Sequence, residues 1–240
     1  MDILILGHNG MLGHMLVKYL LDQNHTIHTS NNKFPSTEFK TDILNFKGDY
    51  IINAIGAIPQ KTNVFDINYE LPIWLDRYTN VKIIHPGTDC EIDTNTYGIS
   101  KKIAAEYIKN FSNHSKIIKT SIIGPEISSY SSLFEWFLRS TNNVKGYSKV
   151  FWNGVTTLQW AIECNKLLKD WDSYQIESIL YADCISKFEL LTQINLVFQK
   201  NIIILEDNTY KSNKCLHGTI KVKNITDQLI ELKKYYYNEV

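Results

Sequence analysis

The sequence predicts an α/β fold built on a doubly wound parallel sheet. Three observations point there. Short apolar runs alternate with stretches of helical periodicity, the first run ends in a glycine-rich turn, and that turn opens directly into a helix. Residues 2–6 (DILIL) are continuously apolar, as expected of a central parallel strand covered on both faces. Met11, Leu12, Met15, Leu16, Tyr19 and Leu20 recur at helical spacing, so a helix is expected over 11–21. Residues 25–29 read as a second strand, a third is expected before Asp42, and 49–54 (DYIINA) read as a fourth. The runs 81–85 (VKIIH) and 116–120 (KIIKT) follow as a fifth and a sixth, with helices over about 64–79, 97–112 and 131–140. From about 142 the rhythm loosens. A strand-like 150–152 precedes a helix at 156–169, a short strand near 178–182, a helix at 186–199, an apolar run at 202–205 and a final helix at 225–237. The chain therefore divides into a regular part, 1–141, and a smaller part, 142–240, interleaved with the first and without a true linker.

Composition narrows the function classes. The 240 residues carry 25 Lys+Arg against 25 Asp+Glu, and that balance argues against a nucleic-acid binder, which needs a basic excess. With 44% hydrophobic and 12% aromatic residues the chain can bury a sizeable core. No apolar run approaches the roughly 20 residues of a membrane span, and the start lacks the basic region of a signal peptide. Cys90, Cys164, Cys184 and Cys215 lie far apart with no CxxC pair. Neither a metal site nor a disulfide framework is expected, and a reduced, cytoplasmic protein is the default.

The first strand–helix turn is GHNGMLG, with Gly7, Gly10 and Gly13 spaced GxxGxxG. In this context the first glycine permits the tight turn and the second lets the backbone approach a pyrophosphate. The third lets the helix pack against the strand, and the helix N-terminus offers free N–H groups to phosphate. Gly7, His8, Asn9, Gly10, Met11 and Leu12 are thus candidate dinucleotide-binding residues, against the plainer reading of a turn without a ligand. The acidic residue expected at the end of the second strand, to hold a ribose 2′-OH, is missing. The segment there is TSNNK, so Asn31 and Lys33 are candidates, and Lys33 or His8 could pair with a 2′-phosphate. NADP(H) is favoured and NAD(H) remains open. Asp42, with Ile43 beside it, could instead touch the adenine.

Tyr97 and Lys101 stand one turn apart at the start of a helix. A phenol ordinarily near pKa 10 must exchange a proton at neutral pH during hydride transfer, and an ammonium one turn away would lower that pKa. Thr88, just after the VKIIH strand, is the candidate hydroxyl for a reacting carbonyl oxygen. A YxxxK pair alone is weak. Downstream of this glycine turn and of a strand ending in Thr, it carries weight.

These features together resemble the extended, atypical branch of the short-chain dehydrogenase/reductase superfamily, most closely the dTDP-4-dehydrorhamnose reductase family. GHNGMLG is similar to that family's GxxGMLG, and Asn53-Ala54-Ile55-Gly56 to its NAxG segment. Asn68-Tyr69-Glu70-Leu71-Pro72 resembles its N-x-x-x-P helix, Thr88-Asp89-Cys90 its STDC element, and YGISKKIAAE its YGxSKxxGE. KTSIIGPE, SLFEWFL, WNGVTTL and Ile185-Ser186-Lys187 resemble later elements, so the likeness runs along nearly the whole chain. It implies a Rossmann cofactor domain and a small substrate-binding region. Tyr97 would be the general acid and Thr88 the carbonyl anchor, with Lys101 binding the nicotinamide ribose and tuning Tyr97. Asn53, Ala54, Ile55, Gly56, Ile122 and Gly124 would border the cofactor, and Trp136, Trp152 and Asn153 would fall near a nucleotide sugar. The implied activity is NADPH-dependent reduction of a 4-keto-6-deoxy nucleotide sugar in polysaccharide biosynthesis. Alternatives are nucleotide-sugar epimerisation and a non-catalytic NAD(P)-binding regulatory role. Dehydration is disfavoured because Cys90, not a second carboxylate, follows Asp89. Helices 64–79 and 97–112 are surfaces such proteins use for dimers, which makes a homodimer an expectation. The chain departs from the pattern in three places: Thr88 and Tyr97 are only nine positions apart, Gly87 stands where Ser is usual, and Lys119 where Arg is usual.

Overall fold

The computed structural model describes residues 1–128 and 130–237. The chain divides into two compact units, one of residues 1–119 and 161–178, the other of 120–160 and the residues from 179 on. Where the sequence reading draws one boundary at 141, the structure has crossings after 119, 160 and 178.

The first unit opens with β1 (Asp2–Leu6), α1 (Met11–Asp22), β2 (Thr26–Thr29), α2 (Thr37–Asn45) and β3 (Tyr50–Asn53). It continues with α3 (Ile67–Tyr78), β4 (Lys82–Gly87), α4 (Thr96–Phe111) and β5 (Ser115–Lys119). The five strands form an all-parallel sheet in the order β5-β4-β3-β1-β2. Ile5 pairs with Ile52, and Ile51 with Ile83, so the apolar runs meet in the middle of the sheet. One core cluster gathers Leu4, Leu6, Ile51 and Ile83 from the sheet with Phe39 and Ile43 of α2 and Leu71 and Leu75 of α3. This alternation is the Rossmann-type arrangement, whose strand ends and following turns converge on one edge.

The strand expected before Asp42 is a helix instead. Ser36 caps it by accepting the Phe39 N–H, Glu38 lies in its first turn, and Phe39 and Ile43 bury one face at i, i+4. The run 49–54 is consequently the third strand and 116–120 the fifth. The returning segment 161–178 closes the far side of the unit. Tyr50 donates its hydroxyl to the Leu168 carbonyl, and His25 bonds Asn165 at 2.8 Å.

The second unit contains β6 (Ile122–Ile123), α5 (Leu133–Arg139), β7 (Val144–Tyr147), β8 (Val150–Trp152) and β9 (Val155–Thr156). Two elements cross between the units, α6 (Thr157–Lys169) after 160 and β10 (Glu177–Tyr181) after 178. The remaining elements are β11 (Ile185–Ser186), α7 (Lys187–Val197), β12 (Ile204–Asp207), β13 (Ser212–Asn213), β14 (Ile220–Lys221) and α8 (Ile225–Tyr237). The short strands pair as β6-β9, β7-β12 and β11-β8-β13. Helices α7 and α8 pack together, and Leu190, Leu191, Ile194, Leu229 and Leu232 are buried.

The cysteine expectation is corrected here. Cys184 and Cys215 form a disulfide, with Cα atoms 5.8 Å apart. Cys184 directly precedes β11 and Cys215 lies just beyond β13, and both strands flank β8, so sheet pairing brings together residues 31 positions apart. Sequence spacing carries no trace of that pairing. Reducing the bond, or replacing Cys184 by Ser, is expected to cost about 3–4 kcal/mol of stability in the loop-entropy account. Chemical denaturation with and without reductant measures it, and coincident curves would refute it. Among the described residues no helix is long and apolar enough to cross a membrane.

Candidate active site

The glycine turn lies at the end of β1. Gly7 has φ +77°, and a Cβ there would sit 2.9 Å from the backbone C and O of Ala54, so the position needs glycine on both counts. At Gly13 a Cβ would lie 2.1 Å from the Gly7 carbonyl oxygen, which fixes how closely α1 returns over the turn. Helix α1 starts at Gly10 with no side-chain cap and no acidic residue in its first turn. Its leading N–H groups and the positive end of its dipole are therefore free for an anion. The backbone of Ala54 is tied to Leu6 by a 2.9 Å bond, which places 53–56 beside the turn. This open cradle of glycines at an uncapped helix N-terminus fits a dinucleotide pyrophosphate.

The residues expected around the adenine end are arranged differently from the sequence reading. Asn31 and Lys33 are exposed in the loop after β2. Asp42 lies on α2, not after a strand, and its carboxylate accepts from the Ser30 hydroxyl at 2.6 Å and the Asn32 amide at 2.8 Å. Those bonds hold the carboxyl below its ordinary range. A negative charge thus braces the loop where none was expected. Ile43, one residue on, is 1% exposed in the core cluster, so its side chain is a packing residue.

Thr88, Tyr97 and Lys101 come together at the end of β4. Thr88 begins a 3-10 turn, Asp89–Ile92, and Asn95 caps α4 by accepting the Gly98 N–H at 2.8 Å. The Tyr97 phenol lies beside Thr88, and its ring meets Phe65 edge-on at 5.6 Å between centroids. The Thr88 hydroxyl donates to Asp89 at 3.1 Å. Burial, then Cys90, then the Asp89 and Glu91 carboxylates push the phenol up to about 12, against the opposing influence of Thr88. The expected lowering by Lys101 is not realised. Lys101 is half-buried, and its ammonium donates to the Pro86 carbonyl at 3.0 Å. Tyr97 is accordingly a protonated phenol at neutral pH, set to give a proton rather than to take one.

Three further residues, none given a role in the site by the sequence reading, support these three. Asn68, on α3, accepts from the Ala57 N–H, donates to the Ala57 carbonyl and bonds Ser100, tying the 53–57 loop to α4. His85 shares one small cavity with Asn53, Asn68, Glu91 and Lys101. Glu91 accepts the Thr88 N–H at 3.0 Å and the Lys119 ammonium at 2.6 Å. A signal for Glu91 is readable in the sequence, because Thr88-Asp89-Cys90-Glu91 has the S/T-x-x-E spacing of a capping box.

His85 is held neutral. Burial first, and then the Lys101 charge, lower its pKa from 6.5 to about 3. Its contribution to stability is full above 6.5 and is lost as pH falls toward 3, because only the unfolded chain then takes up the proton. The wild type is expected to lose up to about 1.4 kcal/mol per pH unit in that window through this group alone. His85→Gln should flatten the denaturation-midpoint profile there, and parallel profiles would refute the assignment.

The remaining candidates belong to the second unit. Ile122 lies on β6, and Gly124 passes so close to Thr157 that a Cβ would meet its Oγ1 at 2.2 Å. Trp136 is 45% exposed on α5. Trp152, by contrast, is 2% exposed with the Lys187 ammonium 4.6 Å above its ring. Both ends of the Asn153 amide are taken by the Leu216 backbone, at 2.7 and 2.8 Å. Trp152 and Asn153 therefore act as structural parts at the end of β8, and Trp136 alone of the three presents an accessible face.

The fold and the glycine turn make a Rossmann-type arrangement whose turn fits a dinucleotide. Comparison with known proteins agrees. The model of the NAD dependent epimerase/dehydratase family matches residues 3–64, the stretch that carries the glycine turn. No curated protein sequence matches the chain. Among solved structures it is similar to a dTDP-4-dehydrorhamnose reductase from Bacillus anthracis in complex with NADP, with TM-score 0.74, 15% identity and 99% of each chain covered. It is also similar to a dTDP-glucose 4,6-dehydratase from the same organism in complex with NAD, with TM-score 0.75, 14% identity, and 100% of this chain and 97% of that one covered. A UDP-N-acetylglucosamine 4-epimerase from Bacillus cereus gives TM-score 0.73, 15% identity, and 100% and 98% coverage. The doubly wound fold is thus shared with a reductase, a dehydratase and an epimerase.

Proposed function

We propose that this chain is an NADPH-dependent reductase of a 4-keto-6-deoxy nucleotide sugar. The observation that carries the reading is the protonated Tyr97 phenol beside Thr88, on the same unit as an open glycine cradle. A nicotinamide dinucleotide, when bound, would supply a hydride for the C4 carbonyl carbon. Thr88 holds the carbonyl oxygen and Tyr97 gives it the proton, so the ketone becomes a secondary alcohol. Lys101, Asn53 and the backbone of 54–56 would border the nicotinamide end, while Gly7 to Leu12 would hold the pyrophosphate. Glu91 is committed to Thr88 and Lys119, which leaves it unable to serve as the second carboxylate of a dehydratase. Lys33 favours a 2′-phosphate, and Asp42 works against it.

The test is NADPH oxidation by the purified protein over a panel of 4-keto nucleotide sugars. Stereochemical scrambling at C4 without net reduction would favour epimerisation. Cofactor binding with no turnover on any sugar would leave a binding protein. Fluorescence titration decides the cofactor, and NADH binding more tightly than NADPH would overturn the choice and implicate Asp42. Ile99, Ile103 and Phe111 form an exposed apolar stripe along α4, so a second copy of the chain is expected to cover it. Sedimentation equilibrium should return twice the chain mass, and a monomer at micromolar concentration would refute that.

A further inference from the structure

We infer that Glu91 and Lys119 are positioning residues for the Thr88 and Tyr97 hydroxyls. The inference rests on the reading of those hydroxyls as carbonyl anchor and proton donor. Only eight residues lie between Thr88 and Tyr97, and they form the 3-10 turn and the cap of α4 rather than a long loop. Something must fix Thr88 at the free end of β4, and one carboxylate does. Glu91 Oε1 accepts the Thr88 N–H at 3.0 Å, and Oε2 accepts the Lys119 ammonium at 2.6 Å from the end of β5. The two side chains are 5% and 13% exposed, so this is a buried ion pair with directional bonds and not a surface contact.

The neighbouring glycines are shaped to the same arrangement. A Cβ on Gly87 would lie 3.0 Å from Lys119 Cβ and 3.1 Å from its Cα, so glycine lets β4 approach β5 closely just where Lys119 turns toward Glu91. A Cβ on Gly98 would lie 2.3 Å from the Cys90 carbonyl oxygen, so glycine also seats the 3-10 turn on the first turn of α4, beside Tyr97. Gly87, Lys119 and the short connection, three separate departures in the sequence, are parts of one brace.

The charges facing the brace are few. Lys119 also has Glu177 at 3.9 Å, and Glu91 acts on Lys101 and Lys109 at longer range. Tyr97 faces Asp89, Glu91 and Cys90. Removing the Glu91 carboxylate therefore does two things. It frees the Thr88 backbone, and it withdraws one of the negative charges that hold the phenol protonated.

The experiment uses the full chain labelled with ¹³C on tyrosine rings, with Tyr97→Phe identifying the Tyr97 signal. Glu91→Ala should displace that signal and lower its titration midpoint relative to wild type. In steady-state reduction kcat should fall about tenfold, with KM and cofactor Kd within about twofold. Lys119→Met should lose turnover similarly, and Lys119→Arg, which keeps the cation, should recover most of it. If Glu91→Ala does not fold, Glu91→Gln carries the test, because it keeps the acceptor for Thr88 and removes only the charge against Lys119. A folded variant with the Tyr97 signal, its titration and kcat all at wild-type values would overturn the inference. If the wild type reduces no nucleotide sugar, the functional reading fails, while the Tyr97 titration still decides the role of the brace.

Discussion

Replacing Tyr97 by phenylalanine is expected to abolish measurable reduction while leaving the cofactor bound. The phenol is placed beside Thr88 as a proton donor, and positioned general acids contribute about 10²- to 10⁴-fold. Phenylalanine keeps the ring that packs edge-on against Phe65 and removes only the hydroxyl, so the fold should be unaffected. The pH dependence separates this role from its alternative. A phenol pushed up to about 12 stays protonated through neutral pH and loses its proton only in strong alkali, so turnover by the free enzyme should fall only at the alkaline end. NADPH oxidation by Tyr97→Phe within about threefold of wild type would remove Tyr97 from the mechanism.

Gly13→Ala is expected to be as damaging by a different route. Its new methyl would lie 2.1 Å from the Gly7 carbonyl oxygen, 2.7 Å from the Gly7 carbonyl carbon and 2.9 Å from His8 Cα, all backbone atoms. No side chain can swing away, so α1 must move off the turn or the turn must open. Overpacking of this kind typically costs about 1–3 kcal/mol, and here it also distorts the N–H groups offered to the pyrophosphate. Dinucleotide affinity should drop beyond detection in a fluorescence titration, together with a lower melting temperature. Gly10→Ala is the control for packing alone, because its Cβ would meet only the Gly7 oxygen at 3.2 Å and should leave the melting temperature near the wild-type value. Equal affinity in wild type and Gly13→Ala would show that the turn does not bind the cofactor.

What the sequence displayed of this architecture was its local order. DILIL, DYIINA and VKIIH are buried strands because continuous apolar runs suit a sheet covered on both faces, and the helix over 225–237 has the bounds its periodicity sets. The glycine turn and the Tyr97–Lys101 spacing were visible because their chemistry needs particular residues close in sequence. The features that escaped depend on distant segments meeting. Residues 37–45 could pass for strand or helix until Phe39 and Ile43 found a common core. The Asp42 carboxylate reached Ser30 and Asn32 only because α2 folds back over the loop after β2. Cys184 and Cys215 met because two short strands flank a third. The pKa of Tyr97 depended on which way Lys101 turned, and the Pro86 carbonyl, fifteen residues upstream, decided that.

The return of residues 161–178 to the first unit bears on how the chain can be made and cut. Ile117 in β5 gives its N–H to the Ile176 carbonyl, Tyr50 bonds Leu168, and Lys116 donates to the carbonyls of Trp171 and Tyr174. On a ribosome these partners emerge only after the whole intervening segment 120–160 has been synthesised. The first unit therefore cannot complete its fold as an early, independent product. A fragment ending at 141 would present an unpaired β5 edge and an uncovered Tyr50, a template for association with other chains. Expression of the isolated first unit should require a splice that joins 119 to 161, with a short connector replacing the segment that leaves and comes back.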